Sequence, residues 1–149
     1  MLRRLFIEVA NGGFGPEEGI PGVRNGFHGS TLGALDEAYR MFREHEPWPR
    51  GLVPIVDVGC AQFICLATKD FAGTLAIHDD AGQLWRTDFS LEWLLGAWCD
   101  DREVWSEMNE SAGWIERNGI NPFTKRPHVF RQPKFRALGT AWPGYVPPR

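Results

Sequence analysis

The stretch "LVPIVDVGCAQFICLATKDFAGTLAIHDDAGQLWRTDF" (residues 52–89) decides the fold, because short runs of β-branched, aliphatic and aromatic residues alternate in it with turn-like residues. The runs cover residues 52–58, 61–68, 74–79 and 83–89. The tight turns between the later runs predict an antiparallel meander. Pro54 cannot donate a ladder hydrogen bond, so we expect the first run near a sheet edge or at a strand start.

Three helices are predicted around this meander from apolar residues at helical spacing. The first contains Leu2, Leu5, Phe6 and Val9, and Asn11-Gly12-Gly13 can end it. The second follows a cap at Ser30 or Thr31, has a face of Leu32, Leu35, Tyr39 and Phe42, and stops at Pro47. The third follows a cap at Ser90 and carries Leu91, Leu94, Leu95, Trp98 and Trp105. This order of elements predicts a single α+β domain.

The hydrophobic core is predicted from the apolar faces of these segments. Its expected members are Leu5, Phe6, Val9, Leu35, Phe42, Ile55, Phe63, Cys65, Leu75, Ile77, Leu94 and Trp98. Cys60, Cys65 and Cys99 are odd in number, lie among apolar neighbours and form no CxxC pair. We therefore expect reduced core thiols and no disulfide framework.

The charge of the chain is divided unequally along its length. Residues 1–114 have a net charge of −9, whereas residues 115–149 have a net charge of +6. Residues 118–149 hold six of the eleven prolines, which predicts an extended tail beyond a domain of residues 1–117, with at most one short strand. Its aromatic residues favour packing on the acidic body or on a second subunit, with Lys125, Arg126, Arg131, Lys134 and Arg136 facing acids.

Several kinds of chemical site are disfavoured by the residues present. A phosphate loop at "NGGFGPEEG" (residues 11–19) would follow a strand, not a helix, and its two glutamates would repel an anion. Cys60 and Cys65 project from opposite faces of a strand-like stretch, which argues against zinc. "HDDAGQ" (residues 78–83) has the composition of a solvated turn with no nucleophile nearby, so no catalytic residue is predicted. The tryptophans at positions 85, 93 and 98 are expected in the core rather than stacked on nucleic acid.

Four blocks of the sequence together resemble a known family. They are "LRRLFIEVANGGFGP" (residues 2–16), "WPRGLVPIVDVGCAQFICLAT" (48–68), "GTLAIHDD" (73–80) and "DFSLEWLLGAW" (88–98). In order and spacing they are similar to the SUKH superfamily, which includes bacterial immunity proteins against polymorphic toxins and the fungal SMI/KNR cell-wall synthesis regulators. The resemblance covers about residues 2–98. It implies a SUKH-like fold in which the glycine-rich segment is the corner between the first helix and the first strand.

The resemblance also implies a function. A family member of the immunity type is a non-enzymatic protein that binds and neutralises a cognate toxin in the cytoplasm, without cofactor, metal, nucleic acid or membrane. The alternative is a scaffold or regulatory module of the same fold. Many such toxins act on nucleic acids and are basic, so an acidic surface would favour their binding. The expected partner-binding acids, placed on loops or exposed faces, are Glu17, Glu18, Asp57, Asp79, Asp80, Asp100, Asp101 and Glu103.

Overall fold

A computed structural model describes residues 2–17, 19–27, 32–45, 47–134 and 139–147 of the chain. In chain order its elements are α1 (Leu2–Glu8), α2 (Leu35–His45), β1 (Leu52–Gly59), β2 (Gln62–Ala67), β3 (Thr74–His78), β4 (Leu84–Ser90), α3 (Leu91–Cys99), α4 (Val104–Ala112), β5 (Trp114–Ile120), β6 (Pro127–Pro133) and β7 (Gly139–Ala141). The fold is α+β with a mainly antiparallel sheet, as the sequence predicts. The predicted caps of α2 at positions 30 and 31 lie outside the described residues.

The central sheet has five strands in the order β1-β2-β3-β4-β7, and each neighbouring pair is antiparallel. The meander predicted for the later runs is confirmed by strands β2 to β4, and β1 extends it by one antiparallel strand. β1 is an edge strand, which tolerates the missing N–H of Pro54. The register places Asp57, Phe63 and His78 side by side on β1, β2 and β3.

Both faces of the sheet are covered, and the alternation of side chains along β2 shows how. Ile64 and Leu66 pack into a cluster with α3 and α4. Phe63, Cys65 and Ala67 point to the opposite face, where a second cluster contains Phe42 of α2 and Trp48. Because successive strand residues point to opposite faces, a strand covered on both sides is apolar along most of its length. This explains why "FICLA" is an uninterrupted apolar run.

The glycine-rich segment after α1 folds back on itself as a closely packed loop. Phe14 and Ile20 pair through the Ile20 N–H, which donates to the Phe14 carbonyl at 2.8 Å, and both side chains are buried. Gly12 has φ of 91°, and a Cβ there would lie 2.4 Å from the Gly22 nitrogen. The high glycine content of this segment therefore reflects the close approach of two backbone stretches and the positive φ angles. The segment leads into α2 before the first strand of the sheet begins.

Two core predictions are wrong, although most of the predicted core is buried or half-buried. Val9 is 67% exposed because α1 ends at Glu8 and Val9 falls in the following turn. Trp98 is 41% exposed near the end of α3. The long third helix is also wrong: α3 ends at Cys99, and α4 begins at Val104.

The tail contains more structure than its prolines predict. β5 and β6 form a two-stranded antiparallel hairpin that begins before residue 118. β7 pairs with β4, and Trp142 and Tyr145 are buried in the second core cluster. The expectation of at most one short strand is therefore wrong. Within residues 139–145 the tail contacts the body through β7, Trp142 and Tyr145. Phe135, Arg136 and Leu138 lie outside the described residues.

Candidate protein-binding surface

The connection between α3 and α4 is an ordered corner rather than a loose loop. The Asp101 N–H donates to the Trp98 carbonyl at 3.1 Å, and the Arg102 N–H donates to the Ala97 carbonyl at 2.9 Å. These two bonds, with Asp101 at φ of 55°, make the Schellman arrangement that ends many helices. Glu103 then occupies the N-cap position of α4. The four backbone positions after Cys99 are thus fixed by hydrogen bonds and by the start of the next helix.

We call Trp98, Asp100, Asp101 and Glu103 the acidic corner, since all four side chains are exposed on this connection. The nearby cation is already neutralised: the Arg102 Nε donates to Glu107 Oε1 at 2.8 Å, and a second guanidinium nitrogen donates to the other carboxylate oxygen. This bidentate contact lowers the pKa of the Glu107 carboxyl below its ordinary value of 4.5. Arg102 also lies 5.7 Å from the centre of the Trp93 ring. Arg102 also attracts the Asp100 carboxylate, but among the described residues none of the three acids of the corner forms a salt bridge.

The acidic corner belongs to a wider acidic segment. Residues 88–110 carry seven acids and one base, a net charge of −6. Asp100 is the C-cap of α3, whose last turn contains no basic residue. A carboxylate there meets the negative end of the helix dipole, which is unfavourable for helix stability. The charge at this position is therefore a cost to the fold rather than a stabilising feature.

The other predicted acids are dispersed. Glu17 is exposed in the glycine-rich loop, and Glu18 lies outside the described residues. Asp57 is half-buried on β1, where its carboxylate accepts a hydrogen bond from the Gly59 N–H at 2.9 Å. Asp80 is exposed in the turn between β3 and β4. The structure thus joins Asp100, Asp101 and Glu103 on one connection.

The structure corrects the prediction for Asp79. The sequence predicts that this residue lies on an exposed turn, but its side chain is buried, with 9% exposure. Its Oδ1 accepts from the N–H groups of Ala81 and Gln83 at 3.0 and 2.9 Å. Its Oδ2 accepts from the Trp85 indole nitrogen at 2.7 Å. The carboxylate is therefore used to shape the turn and is not available to a partner.

His78 is buried as well, at 5% exposure, so the expectation of a solvated turn is wrong for this residue too. Its Nδ1 lies 3.1 Å from the Ala61 carbonyl, which ties the turn after β1 to β3. The rings of Phe42, Trp48 and Phe63 lie 5.6 to 6.0 Å from the imidazole, centre to centre. Packing of this kind makes His78 a member of the core.

The structure also bears on the cysteines, on possible metal ligands and on possible membrane-spanning helices. Cys65 is buried, but Cys60 and Cys99 are exposed, which corrects the prediction that all three are core thiols. In the part of the chain that the structure describes, no three His, Cys, Asp or Glu side chains lie close enough to hold a metal ion. Across the described ranges, no helix is both long and apolar enough to cross a membrane.

Two open grooves of about 460 to 470 Å³ lie elsewhere on the described surface. One is lined by Arg4, Leu5, Glu8 and Val9. The other lies on the β5–β6 hairpin and is lined by Asn118, Gly119, Pro127, His128 and Val129. Neither lining contains a Ser, Cys or Thr beside a base, which is the pairing that nucleophilic catalysis needs.

Comparison of the chain with protein-family models, with curated proteins and with solved structures gives no match.

Sequence reasoning missed one member of the acidic corner, Trp98, because its helical spacing from Leu91, Leu94 and Leu95 predicts burial. The signal that marks it is the Asp-Asp pair directly after Cys99. Two adjacent carboxylates are poor helix formers, and Asp tolerates the left-handed conformation that ends a helix. Because α3 ends at Cys99, Trp98 lies in its last turn and covers less of the sheet than Leu91, Leu94 and Leu95 do.

Proposed function

We propose that this protein is a non-enzymatic immunity protein that binds a basic toxin in the cytoplasm and that the acidic corner is its main contact. The observation that carries the proposal is the exposure of Trp98 beside three exposed carboxylates on a fixed backbone. Tryptophan is enriched among the residues that dominate binding energies in protein interfaces. The resemblance of residues 2–98 to the SUKH superfamily supports the toxin as the class of partner.

Electrostatics supports the same assignment. An acidic surface speeds the encounter with a basic partner, and its contribution weakens as salt screens it. The fixed backbone of the acidic corner also favours binding, because contacts made on a preorganised backbone lose less conformational entropy. Asp100 opposes the dipole of α3, so its charge is better explained by a partner than by the stability of the helix.

The test is binding to the product of a toxin gene immediately upstream, measured by calorimetry and by protection of cells. Trp98→Ala is expected to raise Kd by about tenfold or more, as truncation of a central aromatic contact does. The double variant Asp100→Lys with Glu103→Lys is expected to slow association and to flatten its dependence on salt. Asp101 is left unchanged because its positive φ would confuse a binding effect with backbone strain.

The matched control is Glu44→Lys with Asp70→Lys, which makes the same change in charge at exposed positions on α2 and after β2. The folding of the corner variant is checked by its melting temperature. Lysine at position 100 is favourable at the end of α3, whereas lysine at 103 is unfavourable at the start of α4, so the two effects oppose each other. Equal Kd and equal protection for both double variants would remove the acidic corner from the interface.

A scaffold or regulatory module of the same fold is the second candidate, and one observation favours it. The chain exposes two surfaces of opposite charge, the acidic corner and a basic hairpin with a net charge of +4 over residues 114–134. Such a chain can hold two different partners at once. Co-purification with a single upstream toxin supports the immunity function, whereas capture of two other proteins that require separate surfaces supports the scaffold.

A further inference from the structure

The β5–β6 hairpin is an arm with no buried core residue among those whose exposure is described. Every one of its residues whose exposure is described, from Trp114 to Arg131, is exposed or half-buried. Its strands pair in continuous register from Trp114 with Pro133 to Ile120 with Pro127. A two-stranded hairpin is only marginally stable by itself in water. An ordered arm of this kind gains stability from a surface that covers it.

The tip of the arm holds an aromatic side chain in water. The Asn121 Oδ1 accepts from the N–H groups of Phe123 and Thr124 at 2.9 and 3.0 Å, and the Lys125 N–H donates to the Asn121 carbonyl at 2.9 Å. Phe123 at the apex of this turn is 92% exposed. Ile120 and Val129, on the same face of the ribbon, are 59% and 48% exposed. Exposed apolar groups on an ordered turn mark an interaction site.

The arm is basic and directly follows the acidic segment. Residues 114–134 have a net charge of +4, against −6 for residues 88–110. Gly113 is the one residue between α4 and β5, so the base of the arm lies beside the acidic segment of its own chain. The Lys134 N–H also donates to the Gly113 carbonyl at 2.9 Å, which fixes the base of the hairpin. In the part of the chain that the structure describes, Arg131 of the arm pairs with Glu116 of the arm, and no salt bridge joins the arm to the acidic segment.

We propose that the arm docks on the acidic segment, at the acidic corner, of a second copy of this chain. Seven paired residues span about 23 Å, long enough to reach across a subunit boundary. Each copy offers one arm and one acidic corner, so a reciprocal exchange closes as a two-fold dimer with two equivalent contacts. Phe123 and Trp98 supply apolar surface to each contact. The acids are met by Arg126 in the turn and by Arg117, which lies on the face of the ribbon opposite Ile120 and Val129.

The chemistry of the ribbon favours a protein surface over nucleic acid. Its apolar face, with Ile120 and Val129, also carries Glu116, which would repel phosphate. The guanidinium of Arg131 on that face lies 3.9 Å from the Glu116 carboxylate and 5.5 Å from the Trp114 ring centre.

The test measures the mass of the full chain by analytical ultracentrifugation over a range of concentrations. The wild-type chain is expected to be a dimer whose Kd rises between 50 and 500 mM salt, as expected for complementary charges. Arg117→Glu with Arg126→Glu, the arm variant, is expected to raise Kd at least about tenfold, and so is Asp100→Lys with Glu103→Lys, the corner variant. Phe123→Ser is expected to weaken the dimer without changing its charge.

Mixing the two charge variants gives the decisive measurement. In the mixed dimer, the native arm of one copy meets the native acidic corner of the other, and the reversed arm meets the reversed corner. Both contacts again join opposite charges, so the mixture is expected to recover the wild-type dimer although each variant by itself dimerises more weakly. Arg40→Glu with Arg50→Glu is the matched control, at exposed sites outside the arm, and is expected to dimerise normally.

A wild-type chain that remains monomeric, or a mixture of the two variants that remains monomeric, would overturn the proposal. So would binding of duplex DNA or RNA that the arm variant abolishes while the wild-type chain has no dimer. Melting temperatures of the variants identify any loss of fold. The arm and the proposed toxin use the same acidic corner, so the two contacts exclude each other on one corner. The experiment contains no toxin, so a monomeric chain overturns the dimer without testing toxin binding.

Discussion

Replacing Asp79 with Asn tests whether a buried carboxylate shapes the turn between β3 and β4. The asparagine carbonyl can keep the bonds from the N–H groups of Ala81 and Gln83. Its amide nitrogen then faces the Trp85 indole N–H, so two donors oppose each other where Oδ2 now accepts at 2.7 Å.

The expected cost follows from that lost acceptor. A hydrogen bond to a charged group contributes about 1.5 to 3 kcal/mol. Trp85 is half-buried, so water replaces part of the lost partner and the lower half of that range applies. For a domain of this length, a loss of about 2 kcal/mol lowers the melting temperature by about 4 to 8 °C.

The assay is thermal and urea unfolding followed by far-ultraviolet circular dichroism, since the control variant removes a tryptophan. Trp85→Phe deletes the opposing donor, and Asp79→Asn in that background is expected to cost at least about 1 kcal/mol less than in the wild-type chain. An equal cost in both backgrounds would refute the role of the indole contact. A cost near zero in the wild-type background would refute the role of the carboxylate itself.

Two further predictions concern the tail and pH. Trp142→Ala is expected to destabilise the fold by about 3 to 5 kcal/mol, because this side chain is 7% exposed in the second core cluster. Val146→Ala, at a site 69% exposed, is the control and should change stability by less than about 0.5 kcal/mol in urea unfolding; similar losses in both variants would contradict the packing of the tail. Glu107 has a lowered pKa in the folded chain, so its contact with Arg102 stabilises the fold above pH 4.5 and is lost as the pH falls below that value. Glu107→Gln is therefore expected to melt below the wild-type protein at pH 7, and this difference in melting temperature is expected to shrink as the pH falls below 4.5. A difference that grows on acidification would show the opposite linkage.

The sheet was predictable because its strands carry a local signal. The runs at residues 52–58 and 74–79 agree with β1 and β3 to within one residue, and Pro54 marks an edge strand. The sequence did not predict the β5–β6 hairpin, because the number of prolines in a segment does not show where in a strand or turn each proline lies. Pro127 opens β6 and Pro133 ends it, and Pro122 lies in the turn, all places where a missing N–H is tolerated.

Surface acids are harder to rank from sequence because their environments depend on the fold. Asp79 and Asp80 are neighbours of the same type, yet three hydrogen bonds bury one while the other is exposed. The turn geometry that separates them follows from the pairing of β3 with β4. The break after Cys99 was likewise hidden, because Trp98 and Trp105 are seven residues apart and continue a helical pattern across it.

The pairing of β7 with β4 has a consequence for synthesis on the ribosome. The meander joins segments close in the chain, whereas the Tyr145 hydroxyl donates to the Gly82 carbonyl across 63 positions. A nascent chain that has passed Ser90 can form β1 to β4, but the outer edge of β4 has no partner until residues 139–142 have been made. Unpaired strand edges are templates for aggregation. The interval of translation between Ser90 and Trp142 is therefore when this edge depends most on protection by chaperones.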